Sequence, residues 1–286
     1  MPDARPIGLF DSGVGGLTVL REIARRLPDE STIYLGDNGR APYGTRSDED
    51  VRRFSTECLD ELARRDVKAI VVACNTSTSV ALPGFRRRYD LPIVGVVRPG
   101  ATAAALATRT RRVGVIATPA TVRSHAYFNA IKDENPFVEV YEHATPEFVP
   151  LVEAGRLHGQ EVEAAVRRGL APLMGARGAD GEWIFPLPAD ARVDTLLLGC
   201  THYPLLADEI RAVVGPNVAV IDSASATASV LAELLAINEL RAPAGTAAVH
   251  IQLTTGDVDR FRATAELLFG REFTAVEPVV VAETAA

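Results

Sequence analysis

The sequence predicts an α/β protein of two pseudo-symmetric domains with mainly parallel sheets, and three observations carry that prediction. Short aliphatic and β-branched runs alternate with helical stretches along nearly the whole chain, as in sheets whose strands are joined by helical crossovers. The alternation restarts after residue 98, which suggests two similar halves. Two segments also copy one another, KAIVVACNTSTS at 68–79 and DTLLLGCTHY at 194–203. Each runs an apolar strand into a cysteine and then into small polar residues. Ligands of open α/β sheets bind outside the carboxyl ends of the strands, so the site is expected in the cleft between the halves, with Cys74 and Cys200 in it.

Taken in order, IGLF at 7–10 reads as a strand, and DSGVGGLTVLREIARRL turns from it into an amphipathic helix. Asp11 and Ser12 occupy the turn, and Gly13, Gly15 and Gly16 let backbone amides approach a ligand. As a nucleotide signature the turn is weak, having neither GxGxxG spacing nor a Walker lysine. TIYLG is the second strand, followed by a polar loop whose Pro42, Tyr43 and Gly44 suit a rigid wall. A helix spans about 48–65, and the Cys74 strand follows. LPGFRRRYD reads as a helix end with a basic face, and LPIVGVV at 91–97 as a fourth strand that stops at Arg98, Pro99 and Gly100, a plausible domain crossing.

In the second half come an alanine-rich helix, the strand RVGVIAT with Thr118 and Thr121 at its end, a helix from near Val122, and the strand VEVYEHAT. EFVPLVEAGRL puts Glu153 on a short helix, and EVEAAVRRGLAPLM is amphipathic. Residues 175–192, rich in Gly and Pro and holding the single tryptophan, read as a surface excursion. Beyond Cys200 the sequence predicts helix (LLADEIRAVV), strand (VAVID), helix (ATASVLAELLAI), strand (HIQLTT), helix (DVDRFRATAELLF) and a closing strand-like FTAVEPVVV.

Composition bounds the function. A hydrophobic share of 47% and a charged share of 23% indicate a folded globular chain, and a net charge of -7 argues against a dedicated phosphate-backbone binder. No run of eighteen apolar residues and no signal-like start occur, so a cytoplasmic location is expected. Three cysteines are too few for a disulfide framework. Cys58 has helical surroundings and reads as a small buried hydrophobe.

Three chemistries compete for the thiols. Cys74, Cys200 and His202 could hold a metal, but the sequence lacks the close ligand pairs of structural zinc sites, so no metal and no cofactor are expected. Cys200 with His202 two residues on could be a nucleophile and its base, which leaves Cys74 without a task. Removing a proton from one face of a carbon acid and returning one to the other uses both cysteines, one per face. Asp11 could then assist Cys74, and His202 could assist Cys200. Asp11 could equally be a helix N-cap, and His202 a satisfied core histidine. Asn75, Thr76 and Thr201 suit a carboxylate and an ammonium group, or cap helices with the same groups.

The segments FDSGVGGLTVL, GD followed by APYG, VVACNTST, LVEAG and LGCTHYPLL resemble the glutamate racemases of the aspartate/glutamate racemase family. The resemblance implies a cofactor-independent isomerase that interconverts L- and D-glutamate for peptidoglycan synthesis. It makes Cys74 and Cys200 the proton donor/acceptors, Cys74 toward D-glutamate and Cys200 toward L-glutamate, with Asp11 and His202 as helpers and Glu153 as a third ionisable group. Substrate contacts would come from Asp11, Ser12, Tyr43, Gly44, Asn75, Thr76, Thr201 and His202, with Thr118 and Thr121 as weaker candidates. The implied fold returns to its first domain after the second, giving 1–98 with 208–273, then 99–207, and a tail at 274–286. The loop GDNGRAPYG departs from the threonine-alanine pair more usual before the arginine. Family partners would be a second copy of the chain and, for some members, DNA gyrase, with Arg86, Arg87 and Arg88 as a contact. The alternatives are an aspartate or hydantoin racemase, and a regulatory binding protein on the same fold.

Overall fold

The computed structural model describes residues 2–177, 183–184 and 192–282, so most of the 175–192 excursion lies outside the described residues. The chain divides into two compact units, residues 1–96 with 224–286, and residues 97–223. The first begins with β1 (Ile7–Asp11), α1 (Leu17–Arg26), β2 (Thr32–Gly36), α2 (Asp48–Arg64), β3 (Ala69–Val72), α3 (Asn75–Arg88) and β4 (Ile93–Gly95). The second holds α4 (Val97–Ala107), β5 (Arg112–Ala117), α5 (Pro119–Ser124), α6 (Ala126–Glu134), β6 (Glu139–Ala144), α7 (Phe148–Glu153), α8 (Gln160–Met174), the short pair β7 (Ala176–Arg177) and β8 (Trp183–Ile184), β9 (Thr195–Gly199), α9 (Ala207–Val214) and β10 (Ala219–Asp222). From α10 (Ser223–Ile237) the chain rejoins the first unit with β11 (His250–Thr254), α11 (Val258–Phe269) and β12 (Val276–Pro278).

The first sheet runs β12-β11-β2-β1-β3-β4 and the second β10-β9-β5-β6, and every pairing in both is parallel. Its central strands are buried along their whole length, which is why they read as continuous apolar runs and not as alternations. Helices supply the cover. On α2, Val51, Phe54, Cys58, Leu59 and Leu62 face the first core, and Ser47 caps the start by accepting the Asp50 N–H at 3.1 Å. In the second unit Tyr127 and Ile131 of α6 pack with Val113, Val115 and Leu197 of the sheet.

The two sheets share a connection rule that positions the site. In the first, the chain leaves β1 for β2 on one side and then crosses to β3 on the other; in the second, β5 leads to β6 on one side and then to β9 on the other. Each sheet therefore reverses direction once between neighbours, at β1/β3 and at β5/β9, the place where such sheets bind ligands beyond the carboxyl ends of their strands. The register brings Phe10 level with Val72, and Ala117 level with Gly199. The next residues at the first reversal include Asp11 and Cys74, and those at the second Thr118 and Cys200.

Four features differ from the sequence reading. Residues 208–222 belong with the second unit, because β10 pairs with β9 from Ala219↔Thr195 to Asp222↔Leu198. Residues 276–278 are not a tail: β12 pairs with β11 at the edge of the first sheet. Arg98, Pro99 and Gly100 do not end a strand but lie in the first turn of α4, where a proline sacrifices no helical hydrogen bond. The helix expected near Val122 is two helices, jointed at His125 with φ 51°.

Candidate functional site

In the first unit, β3 ends at Val72 and Cys74 is the N-cap of α3, an extended residue (φ -64°, ψ 118°) whose sulfur accepts the Ser77 N–H at 3.4 Å. A cysteine thus stands where a serine or aspartate usually caps a helix. The Ala73 and Cys74 amides both donate to the Phe10 carbonyl, at 2.8 and 3.3 Å, which ties this turn to the end of β1. Across that tie lies Asp11, buried, its Oδ2 accepting the Gly13 and Gly16 amides at 3.2 and 3.0 Å. The thiol donates to Ser12 Oγ at 3.7 Å. Asn75, Thr76, Ser77 and Thr78 fill the buried first turn of α3; the Ser77 amide goes to the sulfur and the Thr78 amide to the Cys74 carbonyl at 2.9 Å, as in a capped helix start.

The electrostatics here oppose one another. Burial first, and the negative charge of Asp11 second, push the Cys74 thiol up to about 12, while hydrogen bonds from Ser77 and Ser12 pull it down. Tyr34 is raised by the same burial and by both neighbouring negative charges, and its hydroxyl donates to the Gly13 carbonyl at 2.6 Å. Gly16 has to be a glycine: a Cβ there would sit 2.6 Å from Asp11 Cβ and 2.8 Å from the Tyr34 hydroxyl oxygen.

The loop between β2 and α2 is held by a buried ionic network that sequence reasoning missed. Arg40 donates from Nε to Asp37 Oδ2 at 2.8 Å, from one terminal nitrogen to Glu57, and from the other to Cys58 Sγ at 3.5 Å, while its plane lies 4.4 Å over the Phe54 ring. Asp37 also accepts from the Tyr43 hydroxyl and from Thr255 Oγ1, the latter at 2.6 Å. The Tyr43 ring is buried among Phe10 and Phe54. Its hydroxyl is already committed, so the part of Tyr43–Gly44 open to a ligand is the backbone of a turn clamped from behind. Only the Asp-x-x-Arg spacing hinted at this; the partners Glu57 and Thr255 come from distant segments.

In the second unit, β9 delivers buried Cys200 into a turn, with His202 Nδ1 3.8 Å from the sulfur. The far ring nitrogen, Nε2, lies 3.4 Å from Glu153 Oε1 at the end of α7. The three residues expected to act together on this side therefore form a line, carboxylate to imidazole to thiol. Tyr203 supports it from below, exchanging hydrogen bonds with Thr145 at 2.9 Å and stacking edge-on against Phe148. Thr118 caps α5 and approaches the Thr121 hydroxyl at 3.1 Å. Thr201 is buried beside Cys200. Where the first unit has Asp11 at its neighbouring strand end, the second has Thr118, so the carboxylate on this side comes from a helix instead.

Each unit thus carries one buried thiol, one carboxylate and a set of hydroxyl and amide donors at the reversal point of a parallel sheet. That is equipment for moving a proton; among the described residues no group of three or more His, Cys, Asp or Glu has metal-holding geometry. Nor, among the described residues, is any helix long and apolar enough to cross a membrane. Arg86 and Arg87 are exposed at the end of α3, and Arg88 pairs with Asp60 at 2.8 Å.

The chain is 47% identical to a glutamate racemase of Geobacter metallireducens over 86% of each chain. Among solved structures, a glutamate racemase isoform from Bacillus anthracis superimposes with a TM-score of 0.87 at 38% identity, covering 96% of this chain and 97% of that one. A glutamate racemase from Francisella tularensis in complex with D-glutamate does so with a TM-score of 0.85 at 33% identity, over 97% and 98%. The family model described as Asp/Glu/Hydantoin racemase matches residues 7–231, which contain both cysteine turns, Asp11, Glu153 and His202, and the chain belongs to that racemase family.

Proposed function

We propose that the chain is a cofactor-independent glutamate racemase in which Cys74 and Cys200 are the two proton-transferring groups. The observation that carries this reading is the repeated half-site: the same chemical group, a thiol, at the equivalent strand end of each parallel sheet. Inversion at Cα requires one thiolate to take the proton from one face while the opposite thiol gives its own to the other. The Cα–H bond breaks as a thiol forms; a new Cα–H bond forms as the second thiol becomes a thiolate, so atoms and charge balance in either direction. Following the family resemblance, Cys74 abstracts from D-glutamate and Cys200 from L-glutamate.

Asp11 orients Cys74, and the Glu153–His202 pair does the same for Cys200. A thiol at about 12 is only about 10⁻⁵ ionised at pH 7, so the ammonium group of an arriving amino acid has a second task, stabilising the thiolate that takes the proton from Cα. Helix-terminal amides and the hydroxyls of Ser12, Thr76 and Thr201, with the Asn75 amide and the Tyr43–Gly44 backbone, receive the carboxylates and the charge that develops on the α-carboxylate. In the same reading the enzyme is cytoplasmic, supplies D-glutamate for peptidoglycan, assembles as a homodimer, and contacts DNA gyrase through Arg86–Arg88. Sedimentation and a gyrase pull-down test the last two separately.

The test of the activity is incubation with individual L-amino acids in D2O. Deuterium should enter Cα of glutamate with formation of the D enantiomer, and Cys74→Ala and Cys200→Ala should each lower the rate by at least ~10². Exchange on aspartate and none on glutamate would overturn the substrate assignment. Full retention of racemisation by Cys74→Ala would overturn the two-thiol assignment, whereas absence of racemisation in the wild type, with a binding role that survives Cys74→Ala, would leave a regulatory role on the same fold.

A further inference from the structure

Ser77 and Ser55 have no part in the two-thiol scheme as drawn, yet they lie directly behind one of its thiols. Both are completely buried, and the Ser55 hydroxyl donates to Ser77 Oγ at 2.9 Å. Ser55 sits in the middle of α2, where a serine ordinarily turns its hydroxyl back to its own helix's carbonyl. Here it reaches across to α3. Ser77, at the third position of α3, already sends its amide to Cys74 Sγ at 3.4 Å, and the closeness of its side chain to the same sulfur is one of the influences that lower the Cys74 thiol.

The direction of the hydroxyl chain follows from counting protons. Each serine has one hydroxyl proton, and a buried hydroxyl that leaves its proton unbonded is costly. With Ser55 donating into Ser77 Oγ, the Ser77 proton is left for the sulfur, which accepts most strongly when it is ionised. We propose that Ser55 and Ser77 form a two-hydroxyl relay that stabilises the thiolate of Cys74, Ser77 acting on the sulfur and Ser55 acting only through Ser77. Both are positioning residues: the relay approaches the thiol from the protein side. It rests on the reading of Cys74 as a proton-abstracting group and adds how that thiolate is held in a buried place beside the Asp11 charge.

The experiment measures the thiolate itself. Iodoacetamide alkylation of the full chain is followed between pH 7 and 9 by peptide mass spectrometry, with Cys200 in the same sample as the reference and racemisation assayed in parallel. Loss of one hydroxyl donor to a charged sulfur should raise the Cys74 midpoint by about one unit, so Ser77→Ala should alkylate roughly tenfold more slowly at each pH, with Cys200 unchanged. Ser55→Ala should slow Cys74 roughly twofold to threefold. In the Ser77→Ala background, Ser55→Ala should change nothing, a signature that general loosening of the core would not give.

Should Ser77→Ala fail to fold, Ser55→Ala alone decides, since an unchanged Cys74 rate there removes the relay. The proposal is overturned by a Cys74 rate in Ser77→Ala within twofold of wild type, by a Ser55→Ala effect that persists without Ser77, or by a wild-type Cys74 that never alkylates while Cys200 does. Failure of the wild type to racemise glutamate would sink the reading of the activity instead, and leaves the alkylation result standing on its own.

Discussion

Replacing Arg40 should separate what the ionic network does for stability from what it does for substrate binding. Its guanidinium is 22% exposed and faces two carboxylates, Asp37 and Glu57, whose side chains are wholly buried. Arg40→Met keeps most of the side chain's bulk over Phe54 and removes the guanidinium that pairs with both carboxylates, which should cost about 3–5 kcal/mol. Arg40→Lys keeps the charge, but one ammonium cannot reach three acceptors set out for a planar fork, and the loss should be about 1.5–3 kcal/mol. Adding Glu57→Gln to Arg40→Met removes one stranded charge, so the double variant should regain at least ~1 kcal/mol relative to additivity. Urea unfolding followed by circular dichroism measures all of these. In Arg40→Lys, the KM for glutamate should rise more than kcat falls, because Asp37 is the link between Arg40 and the Tyr43–Gly44 turn. An Arg40→Met stability within ~0.5 kcal/mol of wild type, or simple additivity of the two substitutions, would refute this role for Arg40.

Other expectations are as direct. Gly16→Ala drives a methyl group into Asp11 and the Tyr34 hydroxyl; racemisation should fall at least ~10-fold, because displacing a positioned group by a fraction of an ångström is expensive, and a substitution that leaves the rate intact would show that Asp11 is not held where it is needed. Stability should decline as pH rises from about 9 toward 12. Cys74 is held protonated by burial, its folded value raised from 9.0 to about 12, and Cys58 is raised in the same direction. The unfolded chain therefore releases these protons first, and the stabilisation that is complete below pH 9 is lost on the way up, by at most about 1.4 kcal/mol per pH unit for each thiol. Urea midpoints at pH 8 and 10.5 check the sign, and a higher midpoint at 10.5 would contradict it. Glu153→Gln should lower racemisation while shifting the melting temperature little, since Glu153 is 38% exposed at a helix end; a large stability loss with normal kinetics would reverse its assigned role.

Much of this architecture was readable in the sequence because parallel strands covered on both faces write themselves as uninterrupted apolar runs. IGLF, TIYLG, AIVV, RVGVIA and TLLLG all became strands. The polar residues that break those runs, Asp11, Cys74, Thr118 and Cys200, mark the carboxyl ends without any alignment. Strand order was another matter. VAVID looks the same whichever sheet it joins, and only its pairing with β9 shows that the return to the first unit comes after Asp222 and not near residue 208. β12 has three residues, too few to carry a period. The network around Arg40 was hidden because its acceptors are scattered from Asp37 to Thr255, and the Ser55–Ser77 contact because two small polar residues, 22 positions apart, have no local pattern to betray them.

The interleaving of the first sheet has a consequence for how the chain is made. β2 spends its mature life between β1 and β11, but β11 begins at His250, more than two hundred residues later. While the ribosome is still translating that interval, β2 presents an apolar edge with unsatisfied amides and carbonyls, the kind of surface that recruits stray strands. Residues 97–223, by contrast, are contiguous and can close their own sheet as they emerge. Limited proteolysis of ribosome-stalled nascent chains should find the middle of the polypeptide protected before its beginning, and a chain stopped at residue 245 should aggregate through its N-terminal third.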